Sequence, residues 1–158
     1  MSAAGAQDYA GERTRLVAEV EAMYAATRAE TGLAAMSAQV RAALSKVERH
    51  RFVPAGQVAA AYRNHPLPIG SGQTISQPYI VALSTDLAQP TAGQRVLEVG
   101  TGSGYQAAML AEMVAQVYSI ELIPALGRSA AERLRALGYT NVEVRIGDGY
   151  AGWPEEAP

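Results

Sequence analysis

From residue 93 onward, short apolar runs alternate with amphipathic helical runs, and this alternation leaves the chain very few folds to adopt. Residues 95–99 read as a strand, and residues 104–115 as a helix with Ala107, Leu110 and Val114 on one side. Residues 117–121 read as a second strand. Residues 124–137 read as a helix with Leu126, Ala130, Leu134 and Leu137 on one face, closed by Gly138. In residues 141–146, Val142, Val144 and Ile146 alternate with Glu143 and Arg145, the pattern of a third strand. Strands joined through helices pair in parallel with right-handed crossovers. The expectation is an α/β fold with three parallel strands, whose carboxyl ends line one edge, where such sheets bind ligands.

Residues 1–91 differ in kind. Over residues 11–31, Leu16, Val20, Met23 and Tyr24 share a helical face away from Arg13, Glu19 and Glu21, and Gly32 is placed to stop the helix. Ser37 is suited to cap a second helix that carries Val40, Leu44 and Val47 on one side. Residues 52–77 hold Pro54, Pro66, Pro68, Gly56, Gly70 and Gly72. They read as a short helix at 57–62 within an ordered loop, with Leu67 and Ile69 anchoring it. A loop of that length in a compact domain is usually functional. A third helix starts at Gln77, with Ser76 as N-cap, Pro78 in the first turn, and Ile80, Val81, Leu83 and Leu87 as its apolar face. The 158 residues fit one structural domain, divided into residues 1–91 and residues 92–158.

Composition removes several function classes. A net charge of −2 argues against binding a phosphate backbone, and the basic cluster Arg49, His50 and Arg51 reads as a solvated helix end or a local contact. With no cysteine there is no disulfide scaffold, thiolate zinc site or cysteine nucleophile. His50 and His65 lack metal-ligand spacing and read as surface or structural histidines. No apolar run approaches the ~20 residues that span a bilayer. The Ala-rich N-terminus has neither the basic nor the apolar region of a signal peptide. The expected compartment is the cytoplasm, with the periplasm as the alternative if a signal peptide has been removed.

Three strand ends carry chemistry. The first runs from Glu98 through Gly100, Thr101, Gly102, Ser103 and Gly104, where glycines let the backbone turn tightly against a ligand at a helix start. A dinucleotide fingerprint spaces its glycines G-x-G-x-x-G. Here the spacing is G-x-G-x-G, Tyr105 stands where the third glycine would fall, and Glu98 would repel a pyrophosphate but suit a cationic amino group. The second strand end is Glu121 with Leu122: the acid reads equally well as a ribose-diol acceptor or as an ordinary strand-end acid. The third is Gly147, Asp148 and Gly149. Asp148 can receive an adenine amine there, although a simple turn explains the triplet when it is taken alone. Together the three describe a nucleoside-bearing ligand with a cationic, non-phosphorylated tail, which is S-adenosylmethionine.

These residues, with the segments around them, resemble the protein-L-isoaspartate O-methyltransferases. The likeness runs through Arg49-His50-Arg51-Phe52-Val53-Pro54, Pro66-Leu67-Pro68-Ile69-Gly70 and Gly72-Gln73-Thr74-Ile75-Ser76-Gln77-Pro78. It continues through the glycine loop with Tyr105-Gln106, Gly147-Asp148-Gly149, and Gly152 to Pro158, covering residues 10–158. The resemblance implies an incomplete Rossmann-like class I methyltransferase fold with its three parallel strands in the order 3-2-1, residues 92–158 being the S-adenosylmethionine-binding half-sheet and residues 1–91 a helical and substrate-loop region. It implies methyl transfer from S-adenosylmethionine, leaving S-adenosylhomocysteine, to the α-carboxylate of L-isoaspartyl residues in damaged proteins. The ester then cyclises to a succinimide that reopens to aspartate. Ser76, with Thr74, takes the active-site role, and Ile69 and Gly70 join the cofactor residues. A carboxylate of pKa ~4 is already ionised at neutral pH, so neither a base dyad nor a metal is needed. Isoaspartyl peptides and proteins are the implied partners, without nucleic acid or membrane, and the complete enzyme is expected to be monomeric.

Family members continue past Pro158 into a further strand that would pair with residues 95–99. Without it, Val96, Leu97 and Val99 are expected on an exposed edge. The 158-residue chain is therefore expected to be a truncated form, poorly stable and weakly active alone. The alternatives are a methyltransferase for another peptide carboxylate, a non-catalytic remnant, and a nicotinamide dehydrogenase, the last disfavoured by Tyr105 and Glu98.

Overall fold

Asp8 starts the first helix by accepting the Gly11 amide at 3.0 Å, and α1 (Tyr9–Ala26) buries Leu16, Val17, Val20 and Tyr24. The computed structural model describes residues 8–156, so the expectations for residues 1–7 and for Ala157 and Pro158 lie outside the described residues. The helix expected over 11–31 is two pieces. Thr27 turns its hydroxyl back onto the Met23 carbonyl at 2.8 Å and leaves the helical region, and the chain resumes as α2 (Arg28–Thr31). Gly32, at φ 76°, ends it as expected. Ser37 accepts the Val40 amide and starts α3 (Ala38–Lys46), which buries Val40 and Leu44.

Residues 49–75 correct the sequence reading. The short helix expected at 57–62 is a 3₁₀ turn at Ala55–Ala60, preceded by another at Arg49–Phe52. The remainder, expected as loop, contains an antiparallel hairpin, β1 (Leu67–Gly70) and β2 (Gln73–Ile75). Its two-residue turn places Ser71 at φ 52° and Gly72 at φ 71°, the positive values that a tight hairpin turn requires. Ser71 and the prolines hide that turn in the sequence. The basic cluster is also no solvated helix end, because Arg49 is wholly buried.

The next helix, α4 (Pro78–Ala88), has Gln77 at its N-cap position, so Ser76 is not its N-cap. The capping is non-local: Asn64 Oδ1 accepts the Tyr79 amide at 3.0 Å, and Gln77 donates to the Asn64 carbonyl. The helix docks on α1 and α3 through Tyr79, Val81, Ala82 and Thr85. Ile80 and Leu87, expected on the buried face, are 45% and 57% exposed.

Beyond it the expected sheet forms. β3 (Arg95–Val99), β4 (Gln116–Glu121) and β5 (Val142–Ile146) pair in parallel in the order β3-β4-β5. α5 (Tyr105–Ala111) is shorter than the expected 104–115, because Asn141 Nδ2 donates to the Ala111 and Val114 carbonyls and ends the helix there. α6 (Pro124–Ala136) packs on β4 and β5 and closes near Gly138 at φ 85°. On the edge strand β3, Leu97 is 46% and Val99 63% exposed, as expected, whereas Val96, expected exposed with them, is half-buried against the core because its side chain points to the other face. Trp153 folds back onto Tyr118, with ring centroids 5.0 Å apart, and Arg145 lies over the Trp153 ring. Among the described residues no helix is long and apolar enough to cross a membrane.

Candidate active site

The glycine loop leaves β3 and is fastened to the neighbouring strand, since the Gly100 amide donates to the Ile120 carbonyl at 2.8 Å. Gly100, Gly102 and Gly104 all adopt positive φ, at 94°, 55° and 86°. At Gly104, the cap of α5, a Cβ would also crowd Leu134 Cδ1 at 3.1 Å. The loop is thus a backbone cradle that side chains would strain or fill.

Glu98 lies beneath this cradle. Ser119 donates to Glu98 Oε2, and Thr101 Oγ1, 2.6 Å from Ser119 Oγ, completes a buried hydroxyl chain that ends on the carboxyl. Glu98 Oε1 is buried without a hydrogen-bond partner. Burial first, and the charge of Glu121 to a lesser degree, push the Glu98 carboxyl up to about 7, against the opposing pull of the Ser119 hydrogen bond.

Glu121 is buried at the end of β4. Its Oε2 accepts the Gly102 amide at 2.7 Å and its Oε1 accepts the Ile123 amide at 2.9 Å. The carboxylate therefore holds the loop, with lone pairs left for further donors. Leu122 next to it is 68% exposed. The Gly147 amide donates to the Glu121 carbonyl, so the ends of β4 and β5 adjoin. Asp148 is exposed and accepts the Tyr150 amide at 2.9 Å, which starts the turn Gly149–Ala151. A Cβ on Gly149 would overlap the Val99 side chain.

The hairpin meets the loop from the other side. Ile69 Cδ1 stands 3.5 Å from where a Gly102 Cβ would lie, and Gly70 beside it is at φ 95°. Thr74, Ile75 and Ser76 line a cavity of about 60 Å³ together with Gly100, Thr101, Gly102, Ser103 and Gln106. Another, of about 250 Å³, lies between Ile69, Gly102, Ser103, Leu126 and Arg133. Ser76 and Thr74 are brought to the glycine loop, and Asp148 follows β5 where the chain turns back, so that the next residue, Gly149, lies against Val99 at the end of β3. Three residues here had no signal in the sequence: Ser119, which bridges Glu98 and Thr101; Asn64, which caps α4; and Arg49, which reaches the Ser76 carbonyl. Each acts through a partner distant in sequence, and no local pattern marks such contacts.

A parallel three-stranded sheet with a glycine loop at its first strand end, flanked by an acid before the loop and another at the next strand end, defines the Rossmann-like fold of class I methyltransferases. The model of the protein-L-isoaspartate(D-aspartate) O-methyltransferase family matches residues 19–158, and the chain belongs to that family. It is 59% identical over 143 residues to protein-L-isoaspartate O-methyltransferase 2 of Polaromonas sp., covering 90% of this chain and 68% of the relative. It is 56% identical over 158 residues to the protein of the same name from Syntrophobacter fumaroxidans, covering 99% and 64%. Among solved structures, a protein-L-isoaspartate O-methyltransferase is similar at a TM-score of 0.79 and 28% identity, over 92% of this chain and 45% of that one. A Plasmodium falciparum structure described as a protein-L-isoaspartate O-methyltransferase, solved with S-adenosyl-L-homocysteine, shares the fold at a TM-score of 0.70 and 20% identity, over 96% and 68%. The chain spans between 58% and 68% of the length of four such curated relatives.

Proposed function

We propose that this chain carries the cofactor and acceptor-positioning parts of a methyltransferase that esterifies the α-carboxylate of L-isoaspartyl residues, a protein-repair reaction. The observation that carries the reading is the cavity at which Ser76 and Thr74 meet the glycine loop. S-adenosylmethionine, when bound, supplies an electrophilic methyl on a sulfonium. The residues present fit that group. Three glycines at positive φ form the cradle, and the buried, unpartnered Glu98 Oε1 beneath it offers a hydrogen-bond acceptor toward a cationic tail, whose charge would favour the ionised carboxyl. Glu121 retains acceptor capacity for a ribose diol. Leu122, Gly147, Asp148 and Gly149 extend the row toward an adenine. In this reading Ile69 and Gly70 close the loop from the hairpin side.

The acceptor arrives already ionised at neutral pH, so the protein's task is alignment and exclusion of water. The Ser76 hydroxyl, released from helix capping by Asn64, holds the acceptor carboxylate in line, with Thr74 beside it. The division of labour follows the chain: residues 1–91 position the acceptor, and residues 92–158 hold the cofactor. Isoaspartyl peptides and proteins are the proposed partners, the cytoplasm the proposed compartment, and a monomer the proposed state of the complete enzyme.

The test has two parts. Calorimetric titration should show binding of S-adenosylhomocysteine and none of NAD; the reverse would favour a dehydrogenase. In a panel of isoaspartyl, aspartyl and asparaginyl peptides, only the first should be methylated. Equal methylation of the aspartyl peptide would move the assignment to a different peptide carboxylate.

A further inference from the structure

Arg49 is fully buried and forms no ion pair with a carboxylate among the described residues. Burying an unpaired guanidinium is unfavourable unless carbonyls and π-faces replace its water. Here they do so from four separate places. Nε donates to the Ala61 carbonyl at 2.9 Å, and Nη2 to the carbonyls of His65 at 3.4 Å and Ser76 at 2.8 Å. The guanidinium carbon sits 4.9 Å from the centre of the Tyr105 ring. Nη1 is buried with no hydrogen-bond partner, so the group is not fully satisfied by these contacts.

Two of these contacts join elements that the proposed reaction must align. Ser76 lies between β2 and α4, and its side chain is exposed, so its backbone determines where the hydroxyl can point. Tyr105 is the first residue of α5, immediately after Gly104. One rigid, planar side chain thus touches the backbone of the acceptor segment and the ring that follows the glycine loop. A lysine would supply a single ammonium without the planar fork, and could not serve these directions together.

We propose that Arg49 is a positioning residue: by holding the Ser76 carbonyl while its guanidinium sits over the Tyr105 ring, it fixes the Ser76 hydroxyl relative to the glycine loop and so sets the alignment of the acceptor for methyl transfer. This rests on the methyltransferase reading above. It assigns Arg49 no contact with cofactor or acceptor.

The test uses Arg49→Lys and Arg49→Met in the same chain, with three readings. First, amide hydrogen exchange over residues 74–80 should accelerate by about 10-fold or more, while residues 100–104 stay within about 3-fold. Second, S-adenosylhomocysteine affinity should stay within about 3-fold. Third, kcat on an isoaspartyl peptide should fall by about 10²-fold, the scale of loss expected from a misplacement of about 1 Å. Unchanged exchange at 74–80 and unchanged kcat in a folded Arg49→Lys protein would overturn the assignment. So would a loss of kcat matched by an equal loss of cofactor affinity and of thermal stability. If neither variant folds, nitrogen NMR of the parent decides: a guanidinium with slow Nη rotation supports the tether, and free rotation overturns it. If the parent transfers no methyl to isoaspartyl peptides, the reaction reading fails instead, and hydrogen exchange at 74–80 still judges Arg49.

Discussion

At the residue scale, the structure separates two roles that Ser76 could have held together. Asn64 caps α4, so the Ser76 hydroxyl contributes nothing to that helix start. Ser76→Ala should therefore leave thermal stability within about 0.5 kcal/mol while lowering methyl transfer by about 10²-fold, as loss of a positioned polar group does. Single-turnover transfer beside a thermal melt checks this. Glu98 gives a prediction in pH. Its carboxyl is raised from 4.5 to about 7 in the fold, so between those values the folded chain holds a proton that the unfolded chain has released. Its contribution is thus complete at low pH and is lost as pH rises through about 7, a change of about 3 kcal/mol. Glu98→Gln keeps an acceptor for the Ser119 hydroxyl and removes the titration. Urea unfolding from pH 5 to 8 should show the parent losing stability relative to Glu98→Gln. A parent that gains on the variant as pH rises would contradict the buried carboxyl.

At the element scale, α4 starts on a side chain fourteen positions upstream of its first residue. Asn64→Ala should cost about 1 kcal/mol, the usual worth of an N-cap, and Asn64→Asp should recover most of it. Thermal melts of the three proteins decide this, and an Asn64→Ala protein as stable as the parent would reject the capping. The same contact shows why part of the fold was legible in the sequence and part was not. The three strands and the turn at Gly138 follow from apolar period and glycine placement, both local properties, whereas the strand order came only with the family resemblance. The start of α4 and the early end of α5 depend on bonds from Asn64 and Asn141, which only the tertiary fold brings near. The hairpin was hidden for another reason, since Pro68 weakens the strand pattern and Ser71 occupies a positive-φ position usually given to glycine or asparagine.

At the scale of the whole molecule, the helical first half and the sheet of the second half share one core. Tyr105 and Met109 of α5 are buried with Val40, Leu44 and Phe52. The candidate acceptor residues are held against the glycine loop by this shared packing and by the buried cation of Arg49. The glycine loop, the two glutamates and the Gln73 to Pro78 segment were each readable as short motifs. Their juxtaposition was not, because it is a product of the hairpin and of contacts between residues far apart in the chain. On the edge strand β3, Leu97 and Val99 stay exposed. Relatives of this chain are longer, and comparing it with a form extended to their length separates cofactor binding from turnover.

The proposed reaction is decided by transfer of labelled methyl from S-adenosylmethionine to an isoaspartyl peptide, made with this chain and with the extended form. The expected result is base-labile label in the isoaspartyl peptide, none in its aspartyl counterpart, and loss of the label in Ser76→Ala. Base-stable label, equal label in both peptides, or no label from either form would contradict it.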